Sequence, residues 1–115
     1  MELLPVCREI EAALTAAGIR STLDARALNP PAVWIVPTAA DTFTLADDMT
    51  VTVDLLLVVG ESGTESRNLA ALDALLDPVA AALAAFAAFE SLAVTMLETA
   101  AGPLPAYRLT VKIVT

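Results

Sequence analysis

Thr50–Val59, TVTVDLLLVV, decides the fold. Side chains alternate along an extended chain, so Val51, Val53, Leu55, Leu57 and Val59 fall on one face. On the other face Thr50, Thr52 and Asp54 give way to Leu56 and Val58. A strand of this pattern starts half exposed and ends buried on both sides. Something covers its second half: a helix, or another subunit.

Upstream, Ala32–Val36 (AVWIV) reads as a second strand from its β-branched and aromatic content. Pro37 ends that strand or marks it as an edge. If Val33 and Ile35 face a helix layer, Trp34 faces the other way and needs a cover of its own. Residues 38–49 read as a polar loop carrying Asp41, Asp47 and Asp48, and the alternation of Phe43 and Leu45 with Thr42 and Thr44 gives part of it the pattern of an extended arm. A short extended piece over 19–25 and the stiff break Asn29-Pro30-Pro31 come before. The chain opens with a helix whose apolar stripe is Leu3, Cys7, Ile10, Leu14 and Ala17. Pro5 sits in its first turn, where a missing N–H costs little, and Gly18 is placed to stop it.

Downstream, Gly60–Thr64 is a flexible connection. Leu69, Leu72, Leu76, Val79, Leu83 and Phe86 then recur at helical spacing. Pro78 lies inside that stripe, which predicts one kinked helix, with a second helix capped at Asp77-Pro78 as the other reading. Leu92, Val94 and Met96 alternate in a further strand, Thr99–Pro105 reads as a turn, and Tyr107, Leu109, Val111 and Ile113 alternate in the last strand. The order is α-β-β-β-α-β-β. The simplest packing is α+β: one mixed or antiparallel sheet of about four to five strands with two helices on one face. No repeat or low-complexity linker divides the chain, so 1–115 reads as a single domain.

Composition narrows the function classes. Hydrophobic residues make up 57% of 115 residues, above the usual ~45–50%. An excess of this kind suits a subunit that buries its surplus against copies of itself. The surplus is smaller than the percentage suggests, because 24 of these residues are alanine. Fourteen acidic against six basic residues give a net charge of −8. Such a surface repels a phosphate backbone and argues against DNA reading. The run between Asp77 and Glu90 falls well short of the ~20 apolar residues of a membrane helix. Glu2 stands where a secretory leader would carry Lys or Arg, so a cytoplasmic origin is expected.

No catalytic constellation is present. The chain has no histidine, the commonest general base and metal ligand. Its one cysteine, Cys7, lies on the apolar stripe of the first helix, where a buried structural thiol is expected. Gly60–Gly63, GESG, matches no phosphate-binding loop. Asp41, Asp47 and Asp48 lack calcium-loop spacing and read as solvated carboxylates. No cofactor or metal is expected, and no enzymatic activity. Asp54, inside a strand, reads as the wet face of the sheet or as the partner of a basic residue across a strand pair or subunit boundary. Two readings of Arg108 and Lys112 stand side by side: edge protection against aggregation, and contact with acidic residues of a neighbouring subunit. Trp34 is core packing or an interface anchor.

Five segments together carry a resemblance: AALTAAGIR (12–20), NPPAVWIVP (29–37), MTVTVDLLLVVGESG (49–63), NLAALDALLDPVAAAL (68–83) and AYRLTVKIVT (106–115). In pattern and order they resemble the lambda-type tail terminator proteins of long-tailed phages and prophages, over nearly the whole chain. The resemblance implies a homo-oligomeric ring, usually a hexamer, at the tail–neck junction of a virion assembled in the host bacterial cytoplasm. Its implied partners are the tail tube protein, whose polymerisation it ends, and the neck or head-completion protein, with DNA passing through the lumen unbound. On that reading Asp41, Asp47 and Asp48 are candidates for a lumen or tube-facing loop, and Trp34, Asp54, Arg108 and Lys112 for subunit contacts. Head-closure and connector ring proteins share similar folds and form one alternative. A small ligand-binding regulatory domain, with Gly60–Gly63 at the sheet end, forms another.

Overall fold

The computed structural model describes residues 3–24, 31–42, 49–59, 65–99 and 102–114. In chain order the elements are α1 (Leu3–Ala16), β1 (Ser21–Thr22), β2 (Ala32–Thr42), β3 (Met49–Val58), α2 (Glu65–Leu83), β4 (Ala88–Thr99) and β5 (Gly102–Val114). One mixed sheet runs β1-β2-β3-β5-β4. β1 is parallel to β2, and every other pairing is antiparallel. The α+β class and the element order match the sequence expectation.

The decisive strand is central. Val51, Val53, Leu55 and Leu57 are fully buried, with Val59 just beyond the strand end. They share a core with Val33 and Ile35 of β2, with Tyr107, Leu109, Val111 and Ile113 of β5, and with both helices. α1 lies against β1 and β2, and α2 against β3 and β5. Both helices therefore cover the same face. On the other face burial grows along β3 as its composition changes: Thr52, Asp54 and Leu56 are half-buried and Val58 is fully buried.

α1 buries Val6, Cys7, Ile10 and Leu14. Ala17, expected on the stripe, is exposed, because the helix has already ended. Its end is a complete C-terminal motif. Gly18 adopts φ 78°, its N–H donates to the Thr15 carbonyl at 3.0 Å, and the Ile19 N–H donates to the Leu14 carbonyl at 2.8 Å. Leu14 and Ile19 are both buried in the core, the apolar contact that accompanies this cap. The chain leaves the cap directly into β1.

Two turns expected from proline and glycine are shorter than the sequence suggests. β2 does not end at Pro37 but runs on to Thr42, with its register shifting between Pro37 and Ala39. β1 pairs with β2 only at Val33 and Trp34, so at Pro37 the outer side of β2 is an open edge where no N–H is needed. Residues 38–42 are thus strand, not loop; residues 43–48 lie outside the described residues. Likewise Thr99–Pro105 is not all turn: Thr99 pairs with Gly102 (φ 104°), and Pro103 and Pro105 are inside β5. These prolines are two residues apart, so both nitrogens point to the same edge. β4 pairs along this whole stretch, whereas β3 pairing stops at Ala106. The missing donors therefore face the side that β3 has left.

α2 continues through Pro78 as one helix. Ala74, whose carbonyl loses its donor there, and Pro78 are both exposed, on the side where water replaces the bond. No helix of the described residues is long and apolar enough to cross a membrane.

Candidate interaction surface

Chemistry is sparse on this scaffold. Among the described residues no group of three metal-ligating side chains comes together. Cys7 is 2% exposed, and burial pushes its thiol above the ordinary value, with Arg8 pulling weakly the other way. A raised, enclosed thiol is a poor nucleophile. In the folded protein Cys7 is expected to resist a thiol-reactive disulfide reagent and to titrate stoichiometrically only in denaturant; fast labelling without denaturant would contradict its placement.

The four residues singled out as subunit contacts stand on the sheet face away from the helices. Trp34 pairs with Leu56, and Leu56 with Arg108, in one row across the strands. Trp34 is half-buried there while its neighbours Val33 and Ile35 enter the core. In the next row Asp54 accepts a hydrogen bond from the Thr110 hydroxyl at 2.8 Å. Its cross-strand partner is thus a hydroxyl, not a cation. Lys112 reaches across to Glu90, with 3.1 Å between Nζ and Oε1. Arg108 is exposed and has no carboxylate partner among the described residues. This face is a mixed surface, with one unneutralised cation, Arg108, in a row with Leu56 and Trp34. Asp41, expected in a loop, lies on β2 opposite Thr50. Asp47 and Asp48 fall outside the described residues, as does Gly60–Thr64.

The helix face holds what the residue pattern did not reveal. Phe89, Leu92, Val94 and Met96 of β4 pair with Val111, Leu109, Tyr107 and Pro105 of β5, which places all four on the helix side of the sheet. Yet they are 43%, 47%, 69% and 57% exposed. α2 stops short of covering them and leaves an apolar groove of about 400 Å³ between its Leu69 and Leu72 and β4's Val94 and Met96. The signal available was the alternation of Leu92, Val94 and Met96, which asks for a cover on one side, but only the strand order shows that α2 leaves it open.

One polar tie fixes α2 over β5 beside this groove. The Tyr107 hydroxyl donates to the Asp73 carboxylate at 2.9 Å. That bond, then burial, then the charge of Asp73 raise the tyrosine's pKa. The folded state thus holds this proton more tightly than the unfolded state. Its contribution is complete below the ordinary tyrosine value of ~10 and is lost as pH rises through the raised folded value. Cys7 acts in the same direction from ~8.5 upward. Tyr107→Phe is expected to cost about 1 kcal/mol at neutral pH. It should also flatten the alkaline fall in stability above pH ~10, read from urea melts across pH. No protein-family model matches this chain, and no curated protein matches it.

Proposed function

We propose that this chain is a non-enzymatic structural protein of a long-tailed phage particle, a ring-forming tail terminator. The ring caps the tail tube, ends tube polymerisation and presents the surface to which the neck docks beneath the filled head. The observation that carries self-assembly is the uncovered β4 stripe, a continuous apolar strip on an otherwise acidic molecule. Patches of this kind mark protein contacts. The five-segment resemblance supplies the particular assembly. The charge suits it: an acidic ring lets DNA slide through its lumen without holding it, the reverse of a basic binding groove.

The experiment is light scattering of the protein alone and with polymerising tail-tube protein, with tube lengths scored by electron microscopy. A closed ring, or a ring that forms at the tube end and halts elongation, is expected. A monomer that leaves tube growth unchanged overturns the reading. A lumen lined by Arg or Lys in the assembled ring overturns the account of DNA passage.

A further inference from the structure

All five large hydrophobic side chains exposed among the described residues lie on two elements: Phe89, Leu92, Val94 and Met96 on β4, and Leu4, 58% exposed, on α1. These elements sit at opposite edges of the sheet, since β4 is its last strand and α1 packs over β1 and β2 at the other end. We propose that the β4 edge of one copy takes the α1–β1 flank of a second copy, head to tail. The inference rests on the self-assembly in the reading above but not on the tail tube.

Three observations select this occupant. The first is area. The four β4 side chains expose on the order of 350 Å², about half the ~800 Å² that each partner buries in a standard interface. The groove against α2 and the unpaired backbone edge of Ala88–Thr99 extend it. The second is the edge itself. β4 has no Lys, Arg or Pro in its twelve residues, and its guards are two glutamates, Glu90 and Glu98, and the register shift between Phe89 and Ser91. An apolar edge this long is a template for another chain. The third is charge. Glu98 on β4 has no ion partner among the described residues, and neither has Arg20, which leads from α1 into β1. Head-to-tail contact brings these opposite edges together. Pairing two β4 edges about a dyad at Val94 instead sets Glu98 opposite the second copy's Glu90, a carboxylate already held by Lys112, and so offers Glu98 no free cation. Contact between different surfaces of identical copies propagates, and closes into a ring when the rotation per step allows.

Three cysteine variants, Leu4→Cys, Val94→Cys and the double variant, are treated with a short bismaleimide linker; Cys7, being buried, serves as the unreactive background. The double variant is expected to give a ladder of covalent multimers and each single variant only monomer. Val94→Glu, at a 69% exposed site, should keep the wild-type circular dichroism and melting curve yet weaken self-association by at least about tenfold in light scattering. Dimers from Val94→Cys alone would show a two-fold contact and overturn the proposal. So would the absence of a ladder, or multimers indifferent to Val94→Glu. In that last case a ring that still halts tube growth leaves the terminator reading standing, with its subunit contact elsewhere.

Discussion

Leu55→Ala is expected to destabilise the fold by about 2–5 kcal/mol, the range for emptying a fully enclosed leucine site. Leu55 is fully buried at the middle of the central strand. It lies in one row with Ile35, Leu109 and Leu92, and both helices contribute to the same core. The site has little room to relax, because strands flank it on both sides and core side chains close it from above. Urea unfolding at low protein concentration reads the effect on the protomer itself, since assembly would add a concentration-dependent term. The midpoint should fall by roughly 1–2 M. A shift under about 0.5 M would mean that the central row is not the packed centre of the domain.

The fold was legible where one side-chain period dominated. Val51–Val59 named a strand, its covered face and the gradual burial of the other face, while its central place came from the strand order. The recurrence through Pro78 named one helix where proline alone suggests two. Legibility failed where a residue's local preference was read without knowing which edge it would meet. Pro103 and Pro105 read as turn and Pro37 as a strand end or an edge; each stands where its strand has no neighbour on the nitrogen side, which for Pro37 is the edge reading. Whether a neighbour is there is a property of topology, and no local window carries it.

The candidate surface divided in the same way. That Trp34 turns from the helices followed from Val33 and Ile35, and the alternating partners of β5 put Arg108 and Lys112 on that same face. The ties of Asp54 to Thr110 and of Lys112 to Glu90 could not be read, because each depends on strand order: β5, last in sequence, inserts between β3 and β4. The β4 stripe was written in the sequence as ordinary alternation. It became distinctive only once the helices were seen to lie over the other four strands. An alternating strand implies a cover for its apolar side, and here that cover is not supplied by the chain's own helices.

The second face of β3 gives the other large expected effect. Val58 is fully buried there, with Ala32 and Ala106 beside it in the same row at 2% and 0% exposed. Thr52 shares that face six residues earlier and is half-buried opposite Lys112. Val58→Asp puts a carboxylate where neither neighbour can hydrogen-bond it through its side chain, and is expected to cost about 3–5 kcal/mol at pH 8. Burial raises the folded pKa of such a carboxyl above its unfolded value. Stability is then greatest below the unfolded value near 4 and is lost as pH rises through the raised folded one. The deficit relative to wild type should shrink on acidification from pH 8 to pH 5. Thr52→Asp carries the same loss of strand preference, about 1 kcal/mol or less, but keeps its charge wetted and facing an ammonium group. Its deficit should stay within that 1 kcal/mol and show no such pH dependence. Equal effects from the two variants would mean that β3 is open to water along this whole face. A large effect at Val58 alone fixes the end of β3 as closed on both sides, which leaves β4 as the strand whose apolar side stands exposed among the described residues.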